Sequence, residues 1–209
     1  MNDQPRRLPW WAALLAGCGC LGIGATELRL DPDRSRVGFS IPVLWLFART
    51  GDFEDLALAV DIDHEAQKVD IEAQIRVASA RMENPADVAT LKSRDYFDAL
   101  NHPYIVFQAL DAPLSVLSEG GELSGELSLR GVTRTVRFQL SPDACAPSAE
   151  IPFCPFEVVG HIRRHDFGMS ARRGILGDEV TVSIYLVPAA LPAIDRPDPP
   201  TSASMPATD

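Results

Sequence analysis

The most regular pattern of apolar and polar positions lies between Glu122 and Leu140. Leu123, Leu127 and Leu129 alternate with Glu122, Ser124, Glu126, Ser128 and Arg130, the two-residue period of a strand with one buried face. Beyond Gly131, Val136, Phe138 and Leu140 alternate with Thr135, Arg137 and Gln139. Two half-buried strands around Arg-Gly-Val-Thr-Arg predict an antiparallel hairpin.

The same period recurs along the chain. After a turn-rich stretch from Leu30 to Ser35, Val37, Phe39 and Ile41 share a face. Val43 to Ala48 is an apolar patch, read as a bent strand or a short helix. Between Gly51 and Asp63, Leu56, Leu58, Val60 and Ile62 point one way. Val69, Ile71, Ala73, Ile75 and Val77 do so in the next run. Asn84 as N-cap, Pro85 in the first turn and Asp87 after it predict one short helix, Pro85 to Lys92. An aromatic-rich loop from Arg94 to Pro103 leads into a strand from Tyr104 to Ala109, with Ile105 and Phe107 on one face. Phe156, Val158, Gly160 and Ile162 form the seventh strand face, and Val180, Val182, Ile184 and Leu186 the last.

About eight strands, one helix and tight turns predict an all-β, mainly antiparallel fold, a closed barrel or a sandwich. An eight-stranded up-and-down barrel removes both sheet edges and can hold one small ligand. In such a barrel Phe39, Leu58, Ile75, Phe107, Leu129, Phe138, Val158 and Ile184 converge inside. Ala73 and Gly160 leave room. Arg94, Tyr96 and His102, after the helix, gather at one mouth. Arg163, Arg164, Arg172 and Arg173 cluster near the last turn, as a solvated rim with local ion pairs or as a head-group site.

The chain has 209 residues, with 46% hydrophobic and 23% charged residues and a formal net charge of −10. That composition is globular, and the acidity argues against a nucleic-acid partner. Arg6 and Arg7 ahead of an apolar run ending near Ala25 make residues 1–25 a secretory signal, too brief to span a membrane. Leu15-Ala16-Gly17-Cys18 resembles a lipobox, which would lipidate Cys18. The competing site, after Ala25, leaves Cys145 and Cys154 as an even pair. Both alternatives place the mature chain in the cell envelope, periplasmic or lipid-anchored to the outer membrane. There a Cys145–Cys154 disulfide would close a short loop, a gain of roughly 2–3 kcal/mol. The mature domain is expected over residues 26–188, and the Pro-rich segment 189–209 as a disordered tail.

Catalytic motifs are scarce. Gly168-Met169-Ser170-Ala171-Arg172 lacks the second glycine of a nucleophile elbow. His161 and His165 on one strand would stand about 13 Å apart, too far to share a metal. Asp95 and Asp98 read more simply as turn and cap carboxylates than as an acid–base pair. There is no phosphate-cradling glycine loop.

Four stretches carry a family resemblance: Leu30-Asp31 with Ser35-Arg36-Val37-Gly38-Phe39; Asp95-Tyr96-Phe97-Asp98 with His102-Pro103-Tyr104-Ile105-Val106-Phe107; Gly125 to Arg134; and Arg164-His165-Asp166-Phe167-Gly168-Met169 with Gly177-Asp178-Glu179-Val180. In this order they resemble the YceI-like family, bacterial lipid- and polyisoprenoid-binding proteins of lipocalin-like fold. Arg34 stands where members often carry histidine. The resemblance implies an extended eight-stranded barrel, a helix near one mouth, an amphiphile with a long prenyl or acyl tail inside, and no catalytic residues. The expected function is non-catalytic binding, with transport or storage, of an isoprenoid lipid or quinone, and no other cofactor. The alternatives are a filled-core barrel serving as an envelope scaffold and, with no motif behind it, an envelope hydrolase.

Overall fold

The computed structural model describes residues 26–27, 30–44, 46–143, 154–172 and 174–189. The strands are β1 (Thr26–Glu27), β2 (Arg36–Val43), β3 (Phe47–Phe53), β4 (Leu56–Asp63), β5 (Lys68–Arg76), β6 (Ala80–Met82), β7 (Tyr104–Pro113), β8 (Gly121–Leu129), β9 (Val132–Pro142), β10 (Phe156–Arg163) and β11 (Glu179–Leu186). They form one 11-stranded sheet in the order β1-β4-β5-β7-β8-β9-β10-β11-β2-β3-β6, and neighbours pair antiparallel.

The ends of that order explain the closure. Apart from the two short edge pieces β1 and β6, the sheet begins with β4 and ends with β3, which only Glu54 and Asp55 separate in the chain. Eight antiparallel steps between them make the two run in the same direction. They are therefore halves of one bent strand. The first half pairs with β2 (Val37↔Phe53) and the second with β5 (Leu56↔Ile75). The sheet thus curls into an up-and-down, lipocalin-like barrel of eight long strands. The bend also shifts the side-chain parity, because Phe53 and Leu56 both face the interior although three residues apart.

The β8–β9 hairpin turns on Arg130 and Gly131 alone, with φ of 54° and 72°, the pair of positive values that a two-residue twisted turn requires. Helix α1 (Pro85–Lys92) starts where Asn84 accepts the Ala86 N–H at 3.0 Å. The apolar patch at 43–48 is neither a helix nor one bent strand. It is a hairpin tip, with β2 ending at Val43, β3 starting at Phe47 and Leu44 turning the chain at φ 48°. A second helix, α2 (Val116–Glu119), was not expected, since four residues are too few to show a 3.6-residue period.

The barrel has two distinct ends. At the α1 end lie the β2–β3 tip, the β8–β9 turn, the loop 93–103 and the segment 164–178. At the α2 end lie the β4–β5 turn and the contact of Ser35 with Val187. Residues 1–25, Trp45, Cys145, Arg173 and the segment 190–209 lie outside the described residues.

A Cβ on Gly131 would meet His102 Cε1 at 2.7 Å as well as an unfavourable φ. Gly131→Ala is therefore expected to lose about 1–2 kcal/mol from the backbone alone, read as a shift in the urea midpoint. Adding His102→Ala should return only the steric share. Equal stability of Gly131→Ala and the parent would exclude this turn geometry.

Candidate functional site

Alternation along each strand directs one face inward, and the inward faces enclose a cavity of about 160 Å³. Nine of the residues expected to bind a ligand line it: Phe39, Leu58, Ile75, Tyr96, Phe107, Leu129, Phe138, Val158 and Ile184. Aliphatic and aromatic carbon makes up nearly the whole wall, and such a cavity stays dry when empty.

Gly160 does not belong to this lining. It faces inward opposite Phe138, but a Cβ there would sit 2.2 Å from the Phe138 ring. The space at Gly160 is already filled by that ring and is not room for a ligand. Two more glycines repeat the arrangement, Gly51 under Phe39 and Gly125 under Phe107, each with ring carbons 2.5 Å from the would-be Cβ. Three rings thus lie flat against the wall where a glycine permits it, the close approach that glycine in a strand marks. Phe107 and Phe138 meet edge to face with centroids 5.3 Å apart.

Of the expected mouth residues only Tyr96 reaches the lumen. It is 7% exposed, and its hydroxyl has no hydrogen-bond partner among the described residues. Arg94 is exposed and contributes its carbonyl, which accepts from Arg130 Nη2 at 2.7 Å. His102 packs against the β8–β9 turn. Arg130 also donates from Nη1 to the Gly168 carbonyl, so one side chain latches three loops together. Three of the four family-like stretches meet at this point.

Arg164 departs from the rim expectation. It is 2% exposed and borders the lumen. Its Nε donates to Gly177 O at 2.8 Å, Nη1 to Met169 O and Ala171 O at 2.8 Å each, and Nη2 to Leu176 O at 3.2 Å. Among the described residues no carboxylate pairs with it. A buried cation is expensive unless hydrogen-bonded, and here carbonyl dipoles supply the compensation. The signal for its burial was in the sequence: Phe156, Val158, Gly160 and Ile162 alternate inward, and one further step lands on Arg164.

Two ionisable groups at the α2 end are shifted. Lys68 is raised, chiefly by its hydrogen bond to Asp111, and Tyr185 is raised by donating to Asp143. No cluster of three metal-ligating residues occurs among the described residues. His161 lies 3.7 Å from Glu179 and His165 contacts Asp178, each facing its own carboxylate. Cys154 is buried, and Cys145 lies outside the described residues.

The model of the YceI-like domain matches residues 28–187. The chain belongs to the YceI-like family. Solved structures similar to this YceI-like chain include BcnA of Burkholderia cenocepacia, with 21% identity, TM-score 0.64, and coverage of 77% of this chain and 99% of that one. A polyisoprenoid binding domain from Saccharophagus degradans, implicated in plant cell wall breakdown, is 16% identical with TM-score 0.57 over 77% of this chain and 95% of that one. The YceI protein of Campylobacter jejuni is 22% identical with TM-score 0.54 over 68% and 85%. At these identities the likeness is one of fold. Among curated proteins none matches the chain.

Replacing Arg164 with Leu strands four carbonyls in apolar surroundings. Each buried acceptor left unsatisfied costs about 1–3 kcal/mol, so the expected loss is about 3–5 kcal/mol in urea unfolding. Arg164→Lys should recover only part, because one ammonium cannot reach four carbonyls held around a planar fork. A Leu variant as stable as the parent would show that these carbonyls find other partners.

Proposed function

We propose that this YceI-like barrel binds, without catalysis, an amphiphile with a long prenyl or acyl tail, an isoprenoid lipid or quinone. The observation that carries the reading is a lumen of hydrocarbon whose two polar side chains, Tyr96 and Arg164, both belong to the α1 end. The tail lies among Phe39, Leu58 and Ile184. The head faces Tyr96, whose hydroxyl is unengaged, under the field of Arg164. At about 0.8 kcal/mol per buried carbon, an isoprene unit gains about 4 kcal/mol gross. A few units exceed an association cost of roughly 4–15 kcal/mol. The name of the Saccharophagus neighbour, a polyisoprenoid binding domain, supports the tail chemistry. The amino-terminal segment supports a place in the cell envelope, periplasmic or lipid-anchored through Cys18, and hence transport or storage.

The second reading is a barrel filled by its own side chains that acts as an envelope scaffold. The Phe107–Phe138 contact over the intervening strand β8 favours it, because the wall's own rings occupy part of the interior. Native mass spectrometry and organic extraction of protein from its own host separate the two. A co-purifying prenyl or acyl lipid is expected. Ala73 is a small lumen residue, so Ala73→Phe should abolish that lipid at an overpacking cost of about 1–3 kcal/mol. Wild-type protein that carries no lipid, or a stable Ala73→Phe barrel with its full complement, would move the conclusion to the scaffold.

Envelope placement also calls for a Cys145–Cys154 disulfide. Both cysteines of protein isolated without reductant should resist thiol labelling until reduced. Two freely labelled thiols would remove the staple.

A further inference from the structure

One exposed apolar cluster is not used by the lumen. At the α1 end Leu44, Leu46 and Phe47 are 51%, 78% and 70% exposed, and Ile175 beside them is 49% exposed. The cluster is held in place by backbone bonds. Leu44 N donates to Ile175 O at 2.9 Å, Gly177 N donates to Pro42 O at 2.8 Å, and Val43 bridges Leu176. Side chains of this type gathered on one outward tip mark a partner surface. The tip also continues the lumen wall, because Ile41 and Phe39 lie directly below it on β2.

Charge divides unequally between the two ends. Near the tip, Arg163 and Arg172 are exposed, and neither side chain has a hydrogen bond or ion pair among the described residues. Between positions 163 and 179 the sequence carries four arginines, Arg163, Arg164, Arg172 and Arg173, against three acids, Asp166, Asp178 and Glu179. Around the β4–β5 turn at the other end, Asp61, Asp63, Glu65, Asp70, Glu72 and Asp111 outnumber Lys68 six to one. Strands of eight or nine residues put these ends about 25–30 Å apart. That is about three Debye lengths in physiological salt. An anionic surface touched by the tip therefore meets the two free arginines, while the acidic end is screened and held away.

We propose that the β2–β3 tip docks the barrel on the surface of an anionic phospholipid bilayer. Leu46 and Phe47 enter the acyl region, and Arg163 and Arg172 meet lipid phosphates. No helix among the described residues is long and apolar enough to cross a membrane, so the contact through this tip is peripheral. This deepens the lumen reading, on which it rests for its purpose, by orienting the lumen's polar end toward the bilayer that stores a tailed ligand.

The test places an environment-sensitive fluorescent amino acid in the full chain at Leu46 or at Leu110, which is 70% exposed on β7. Each protein is titrated with vesicles of phosphatidylcholine alone or mixed with phosphatidylglycerol. Probe position, not total binding, is read, so anchoring through the amino-terminal segment does not imitate the result. The Leu46 probe should shift to the blue with the anionic vesicles, and the Leu110 probe should not move. Phe47→Asp in the Leu46-probe chain should weaken the vesicle titration at least about tenfold with unchanged thermal unfolding. A silent Leu46 probe, equal shifts at both positions, or equal response to neutral vesicles would overturn docking. So would a shift that grows with protein concentration in the absence of vesicles, which would mean a second copy covers the tip. Lipid in native mass spectra beside a silent tip would leave the lumen reading intact. A responsive tip on a lipid-free barrel would do the reverse.

Discussion

A sheet whose inner face is hydrocarbon has to bury that face on itself, and this requires its two end strands to meet. The chain satisfies the requirement by using one strand twice. Residues 47–53 complete the ladder from β2, two residues bend, and residues 56–63 start the ladder to β5. Only β1 and β6, of two and three residues, lie along the exposed edges of that shared strand. Short edge strands offer little to pair with another chain. Closure also explains why residues from eight different strands end up within reach of one small cavity.

The alternation that creates the lumen was legible in the sequence, residue by residue, because period 2 assigns faces without knowledge of neighbours. Glu122 to Leu140 and Pro85 to Lys92 appear in the structure as expected. What alternation cannot supply is what stands opposite. Gly160 reads as empty space until the register puts Phe138 across from it. The parity change at Glu54–Asp55 is equally silent, since both residues are polar and resemble an ordinary turn. Arg164 was missed because charge suggested a rim, whereas its place in the alternation pointed inward. The position of His102 and Arg94 after the helix suggests the mouth, yet His102 packs against Gly131 and Arg94 offers its carbonyl to Arg130.

The flattened rings determine how much of the interior remains open. A phenylalanine standing upright on an eight-stranded barrel wall reaches far toward the opposite strand. Lying over a glycine, it keeps its buried area while leaving the axis clear. Three such pairs account for a lumen that is at once well packed at the wall and unfilled at the centre. The same feature sets the limit on substitution, because a methyl group at any of the three glycines meets a ring rather than vacant volume.

The pairing of Ser35 with Val187 spans 152 residues of sequence. The Ser35 hydroxyl both donates to the Val187 carbonyl and accepts from its N–H. β2, the first long strand, likewise finds its β11 neighbour only at the far end of the domain. A chain emerging amino-terminus first therefore holds β2 without that partner until the last strand arrives. Contacts so distant in sequence belong to the slow regime of folding, governed by loop closure rather than by local propensity. The ring cannot close before it is nearly complete, so the apolar face that later forms the lumen is also the surface most exposed to aggregation during folding.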